Sequence, residues 1–320
     1  MRFLKQLCLA GLVGVAGTTL SHGAVSAAEP AKCQALSLSD PGWTDITTTT
    51  TTATVLLNAL GYQPSVKSLS VAVSIEGLRS GNLDVFLGNW MPAQEQMTQK
   101  FIDAKSIELL ATNLEGAVVT LAVNGEAAKA GVARFEDLEK HGDKFGRTIY
   151  SIEPGSSANQ KIQSMIDKDA YGLGSWKMVE SSEAAMLASV ERSERRGQWA
   201  VFLGWAPHPM NIKMKLAYLK GGDEYFGANG GAATVRTLAR AGFAGECPNL
   251  GTLFRQLRFS VAMESEVMSM ILEDKVEPEK AVTSWLKAHP EALDAWLAGV
   301  STRDGKPGLP AVRAALGLAA

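Results

Sequence analysis

Three tryptophans stand where apolar stretches typical of buried strands meet polar turns, and indole rings at such places can bind a ligand. Trp43 lies in "SDPGWTD", Trp90 in "DVFLGNWMPA" and Trp205 in "AVFLGWAPHPM", and the last two segments repeat one pattern in two parts of the chain. The ligand cleft of an open α/β sheet lies beyond the carboxyl ends of its strands. We therefore expect the three indoles to face a single cleft.

A cage of indole faces suits a quaternary ammonium group. Such a group has no N–H to donate, whereas the negative face of each aromatic ring attracts its charge by about 0.5 to 2 kcal/mol. Asp45, two residues after Trp43, would supply the counter-charge. The remaining tryptophans, Trp176, Trp199, Trp285 and Trp296, are expected to be packing residues.

Enzyme signatures are missing from the sequence. It contains no G-x-S-x-G, H-E-x-x-H, C-x-x-C or G-x-x-x-x-G-K motif, and its four histidines are scattered. We expect no catalysis, no cofactor and no metal. The alternative is a secreted enzyme acting on a small methylated amine, for which Asp45 or His208 would be the reactive group.

The first segment, residues 1–27, has the pattern of a cleavable secretory signal. Arg2 and Lys5 precede an apolar run, and small residues lead to a cut near Ala27 or Ala28. No later stretch reaches the roughly 20 apolar residues that span a bilayer. The mature protein is therefore expected to be free in the periplasm.

Two cysteines, Cys33 and Cys247, remain after Cys8 leaves with the signal. In an oxidising compartment they are most simply one disulfide, with two free thiols as the alternative. The composition, 46% hydrophobic and 20% charged with a formal net charge of −2, is that of a globular protein. With no basic patch, no nucleic-acid partner is expected, and we expect a monomer.

Strands alternate with helices twice along the chain, which predicts an α/β fold with a mostly parallel sheet. The first series begins with a strand over 35–40 and a helix from about Thr47 to Leu60, and the second series begins near Gly146. The threonine run 47–52 is expected to serve the first helical turn and the cleft wall. Two lobes of similar plan follow from this repetition.

The tail from Asn249 to Ala320 carries helical periodicity. Because Cys247 would tie it to Cys33, we assign it to the first lobe. Lobe I then comprises 28–115 plus 232–320, and lobe II comprises 116–231. The chain would cross between the lobes near Gly116 and Gly231, which makes a two-stranded hinge.

Six segments in order resemble the periplasmic choline-binding proteins of the glycine betaine/choline ABC-transporter family. They are "GWTDIT", "DVFLGNWMP", "YSIEPG", "VESSEAAMLA", "VFLGWAPHPMN" and "CPNLG". The resemblance implies a two-lobe, type II (venus-flytrap) periplasmic binding protein with a helical C-terminal segment. It also implies that the protein delivers its ligand to a membrane permease driven by a cytoplasmic ATPase.

In choline-type members of this family, three Trp, one Tyr, one Asp and one Asn surround the ammonium group. The positions that match are Trp43, Trp90, Trp205 and Asp45. Val119 stands where the family has Tyr, and Ser156 stands where it has Asn. Val119 offers no π-face and Ser156 has a shorter reach. The expected ligand is choline, with carnitine, glycine betaine or another methylated amine as alternatives. A sensor coupled to a chemoreceptor is a weaker alternative to the transport function.

Overall fold

A computed structural model describes residues 29–319, so the predicted signal at 1–27 lies outside the described residues. Nine strands of this described part of the chain form one sheet. The strands are β1 (Ala35–Asp40), β2 (Gln63–Ser68), β3 (Val85–Met91), β4 (Ile107–Val123), β5 (Thr148–Ser151), β6 (Lys177–Glu180), β7 (Val201–Ala206), β8 (Ala217–Tyr218) and β9 (Ala232–Arg240).

The order of the strands across the sheet is β2-β1-β3-β9-β4-β7-β5-β6, and β8 pairs with β4. The outer strands are parallel, in the two sets β2-β1-β3 and β6-β5-β7. Strands β4 and β9 pair antiparallel with each other and with their other neighbours. The sheet is therefore mixed, whereas the sequence predicted a mostly parallel one, because the two central strands run against the flanking sets.

Sixteen helices, several of only one turn, lie among these strands in the described chain. They are α1 (Thr44–Ala59), α2 (Val71–Ser80), α3 (Glu95–Asp103), α4 (Gly125–Lys129), α5 (Gly142–Phe145), α6 (Ser157–Asp167), α7 (Glu183–Arg195), α8 (Met210–Lys213), α9 (Asp223–Phe226), α10 (Ala228–Gly231), α11 (Phe243–Glu246), α12 (Pro248–Gln256), α13 (Val261–Leu272), α14 (Pro278–Ala288), α15 (Ala292–Trp296) and α16 (Gly308–Ala315). The described residues include no helix long and apolar enough to cross a membrane.

Helix α1 begins at Thr44, three residues before the predicted start. Asp45 lies in its first turn, where a carboxylate is favoured by the helix dipole. The threonine run is therefore inside the helix. The hydroxyls of Thr48 and Thr52 donate to backbone carbonyls four residues earlier, over 2.8 Å each. The predicted role of this run in the cleft wall is wrong, because none of its residues lines the cavity described below.

Strand β4 connects the two parallel sets. Its first half pairs with β9, and its second half pairs with β7 and β8. Gly116 lies between the halves with φ +76°, next to a shift in the β4–β9 register. Gly231 precedes β9 with φ +85°, and a Cβ there would lie 2.3 Å from the carbonyl oxygen of Val119. Both positions therefore require glycine.

The disulfide between Cys33 and Cys247 is present, which confirms that prediction. Every regular element after β9 in the described chain is a helix, as the periodicity predicted. Helices α13, α14 and α16 pack against α1, which in turn packs against β1, β2 and β3. Of the tryptophans expected to pack, Trp176 and Trp296 are buried.

Candidate ligand-binding site

All six predicted site residues lie around one cavity. It offers about 440 Å³ of space free of protein atoms, part of it continuous with solvent. The lining residues are Trp43, Asp45, Trp90, Ala93, Gln94, Val119, Ile152, Ser156, Ser157, Ala158, Leu203 and Trp205. The three indoles are only 5 to 8% exposed.

Trp90 and Trp205 occupy equivalent positions in the two parallel sets. Each is the penultimate residue of its strand, β3 or β7, and each strand is followed by a proline in a cis peptide bond. The sequence had placed both indoles just past the strand ends. Pairing with β9 and β4 extends the strands through them, since Trp90 pairs with Val235 and Trp205 with Val119.

Trp43 and Asp45 enter the cavity from the start of α1, and Ser156 enters it from the start of α6. Trp43 is the N-cap residue of α1. Ser156 is the N-cap of α6, and its hydroxyl oxygen accepts a hydrogen bond from the backbone N–H of Asn159 over 3.2 Å. The hydroxyl proton of Ser156 remains available to a ligand.

Asp45 carries the only charged side chain among the lining residues of the described cavity. Its Oδ2 accepts a hydrogen bond from Nε1 of Trp90 over 3.0 Å, whereas Oδ1 is buried with no hydrogen-bond partner in residues 29–319. Burial, with a smaller contribution from the charge of Glu183, raises the pKa of Asp45 to about 8, against the lowering effect of Trp90. A buried carboxylate oxygen without a partner is costly, and a cation beside it would remove that cost.

A second carboxylate contacts Trp43 without lining the cavity. Both carboxylate oxygens of Glu153 accept hydrogen bonds from Nε1 of Trp43, over 3.0 and 2.9 Å. Burial raises the pKa of Glu153, although the bond from Trp43 opposes the rise. No Lys or Arg lines the cavity in the part of the chain that the structure describes, and Asp45 is the one ionisable residue in that lining.

Several lining residues were not predicted. Gln94 is fully buried; its Nε2 donates to the carbonyl of Gly88 over 3.1 Å and its Oε1 accepts from Nδ2 of Asn89 over 3.1 Å. Gln94 stabilises the turn between β3 and α3, and no local sequence pattern identifies it as a cavity residue. Ile152, which follows β5, and Leu203, which lies in β7, form part of the apolar wall of the cavity.

His208, the other candidate for enzymatic chemistry, does not line the cavity. Its Nδ1 accepts a hydrogen bond from the backbone N–H of Met210 over 3.0 Å, and its Nε2 lies 3.0 Å from Oε1 of Glu183. Both ring nitrogens are therefore occupied within the protein. Among residues 29–319, the group of potential metal ligands that lie close together is Glu29, Cys33 and Cys247, and both sulfurs are in the disulfide.

The fold and the enclosed cavity are those of the two-lobe substrate-binding proteins of ABC importers. A family model described as the substrate binding domain of ABC-type glycine betaine transport systems matches residues 34–288. The chain belongs to this family, whose members are transport receptors and are typically extracytoplasmic. The predicted fold class is confirmed.

Solved structures and a named relative agree with this assignment. An ABC-transporter choline-binding protein in complex with choline is 50% identical with a TM-score of 0.88, covering 90% of this chain and all of the other. The same coverage and identity hold for an unliganded semi-closed form, with a TM-score of 0.82. The glycine betaine/carnitine transport binding protein GbuC of Listeria monocytogenes is 27% identical over 59% of this chain and 60% of its own length.

Proposed function

We propose that this protein captures choline in the cavity, with the indoles of Trp43, Trp90 and Trp205 as cage walls. The observation that carries the proposal is the buried Oδ1 of Asp45, which lacks a hydrogen-bond partner in the described chain and belongs to a residue that lines the cavity together with three indoles. A quaternary ammonium supplies the missing positive charge, and its methyl groups fit an apolar wall. The similarity to the choline-bound structure supports the same ligand class.

The magnitudes bring micromolar binding within reach. Each aromatic face contributes about 0.5 to 2 kcal/mol with a cation, and each buried methyl group adds roughly 0.8 kcal/mol. Three rings and three methyls together approach the roughly 8 kcal/mol of micromolar binding. Contacts of the choline hydroxyl with Ser156 or Ser157 add to this sum, and the cost of association subtracts from it.

Carnitine and glycine betaine are the alternative ligands, and their carboxylate distinguishes them from choline. That carboxylate would enter a cavity that contains Asp45 and is backed by Glu153, with no Lys or Arg in its described lining to receive it. Once Asp45 is ionised to pair with the ammonium group, it would repel that carboxylate in a poorly solvated site. Choline, which carries only the positive charge, is therefore favoured over both zwitterions.

Transport, without chemistry on the ligand, follows from this assignment. In our proposal lobe I comprises 28–115 plus 232–320 and lobe II comprises 116–231, with β4 and the start of β9 as the hinge. The lobes close on the ligand, and the closed monomer presents it to a membrane permease. Export by a signal at 1–27 would place the protein in the periplasm.

Isothermal titration of the mature protein tests this proposal. Choline, carnitine, glycine betaine and trimethylamine are titrated under one set of conditions, and choline is expected to bind most tightly. Ligand recovered unchanged after long incubation would separate a receptor from an enzyme. The proposal fails if choline gives no heat of binding and no change in tryptophan fluorescence.

A further inference from the structure

A buried carboxylate joins the two halves of the sheet beside the cavity. Glu183 is the first residue of α7, a helix that packs against β5 and β7. Its Oε2 accepts a hydrogen bond from the backbone N–H of Thr44 over 2.9 Å, and its Oε1 accepts one from the Thr44 hydroxyl over 2.8 Å. Thr44 opens α1, which packs against β1, β2 and β3. Both bonds therefore cross the cleft.

The residue that Glu183 holds stands between two cage residues. Thr44 follows Trp43 directly and precedes Asp45 directly, so its position sets where the indole and the carboxylate stand. The bonds also place a negative charge at the N-terminus of a 16-residue helix, where the dipole favours it. Hydrogen bonds to an ionised acceptor are stronger than neutral ones, and more so where water is excluded.

His208 connects the same carboxylate to the opposite wall of the cage. Because Nδ1 of His208 accepts from the backbone of Met210, the proton of the neutral ring is on Nε2, which donates to Oε1 of Glu183 over 3.0 Å. The His208 ring also meets the indole of Trp205 edge-on, with ring centroids 4.9 Å apart. The side chains of Glu183 and His208 are only 6% and 2% exposed.

We propose that Glu183, oriented by His208, is a positioning residue for ligand binding: it latches Thr44 when the lobes close and thereby sets Trp43 and Asp45 against Trp205. This inference rests on the proposed function, because it assigns how the same site retains its ligand. Opening of the lobes would break both bonds to Thr44 and return the groups to water. The latch therefore acts on the closed state and slows ligand release.

Matched variants test the latch by choline titration and stopped-flow dissociation. Glu183→Gln is expected to raise the Kd for choline about 10-fold, mostly through faster dissociation, because it removes the charge from the Thr44 bonds. Thr44→Val, which removes only the hydroxyl, should raise the Kd roughly 5-fold, and Thr44→Ser should stay near wild type. Glu191→Gln removes a charge from the exposed part of the same helix and serves as the control.

A double-mutant cycle separates the latch from a general structural effect. The double variant of Glu183→Gln with Thr44→Val should lose less affinity than the two single losses added together, since both substitutions weaken the same interaction. These substitutions should leave the melting temperature of the ligand-free protein nearly unchanged, although they raise the dissociation rate of choline. Wild-type Kd and dissociation rate in both single variants would overturn the proposal, and so would losses explained entirely by a lower ligand-free stability.

A distance measurement distinguishes failure of the latch from failure of the proposed ligand. Spin labels at Val73→Cys and Val179→Cys, both on exposed positions in the two proposed lobes, report the separation of the lobes by double electron–electron resonance. If wild type binds no choline, the proposed function fails. The latch is then judged by whether Glu183→Gln shifts this distance toward wider separations, and identical distributions would refute it.

Discussion

The indole Nε1 of Trp90 donates a hydrogen bond to Oδ2 of Asp45 over 3.0 Å, so one of the three indoles that line the cavity directly contacts its carboxyl group. The bond stabilises the ionised carboxylate, while burial and the charge of Glu183 stabilise the neutral form and prevail in the empty protein. A cation in the cavity would stabilise the ionised form of Asp45, as the bond from Trp90 does. The ionisation state of Asp45 should therefore change when the ligand binds.

Choline affinity should increase with pH through the pKa of Asp45. In the empty protein that pKa is about 8, so below pH 8 the carboxyl is mainly protonated and must release its proton to pair with a cation. As the pH rises toward 8, the Kd should fall roughly tenfold for each pH unit, and above pH 8 it should level off. Titration between pH 6 and 9, in buffers of different ionisation enthalpy, measures both the Kd and the released proton.

Asp45→Asn is the control for this dependence. The amide cannot ionise, so the variant should bind choline more weakly at high pH and show a nearly flat profile. A wild-type Kd that does not change between pH 6 and 9 would contradict the assignment of Asp45 as a protonated group in the empty site.

Trp90→Phe should move the midpoint of that pH profile upward. The phenyl ring keeps an aromatic face for the cation but has no N–H to donate to Asp45, and the bond from Trp90 lowers the pKa of Asp45. The variant should therefore lose most affinity near neutral pH and recover part of it above pH 9. Fluorescence-independent titration calorimetry is the appropriate measurement, because the substitution removes an indole. An unchanged midpoint would show that the bond does not control the ionisation of Asp45.

Local patterns in the sequence predicted the elements that local physics determines. The apolar runs before Trp90 and Trp205 are strands, and the tail is helical. Helix α1 was placed too late because six threonines resemble a helix boundary, although their hydroxyls bond to helix carbonyls once α1 packs. Strand β4 runs through 17 residues although Gly116 interrupts its apolar pattern.

Residues that contact the site from distant segments were harder to predict. Glu153 meets Trp43 across 110 positions, and Glu183 meets Thr44 across 139 positions. Neither spacing has a sequence signal, since each contact exists only after the two halves of the sheet come together. The six named site residues were reached through strand ends and family resemblance, whereas Glu153, Glu183 and Gln94 required the structure.

Glu264→Gln should stabilise the empty protein and flatten its pH dependence of stability. Glu264 lies in α13 with 1% exposure, and burial, followed by the charge of Asp45, raises its pKa well above the ordinary value. A group with a raised folded-state pKa contributes stability at low pH that is lost as pH rises toward that pKa. The wild-type melting temperature should therefore decrease from pH 5 to pH 8, and the variant should decrease less.

Glu291→Gln, at an exposed position, is the matched control for Glu264→Gln and should leave the pH profile unchanged. Thermal unfolding of the ligand-free protein by circular dichroism gives the comparison. If Glu264→Gln melts lower than wild type at pH 8, then the buried carboxylate makes a stabilising interaction that this prediction excludes.

Val119→Tyr should tighten choline binding. Val119 pairs directly with Trp205 between β4 and β7 and lines the cavity, so an aromatic ring at this position would stand beside the three indoles. A further π-face contributes about 0.5 to 2 kcal/mol, which corresponds to roughly 2- to 30-fold in Kd. Val119→Leu is the control, because it adds volume and apolar surface without a π-face. Titration with choline and with its uncharged isostere 3,3-dimethylbutanol separates the two effects: the tyrosine should favour choline alone, and an equal gain for both ligands, or for both variants, would assign the change to packing.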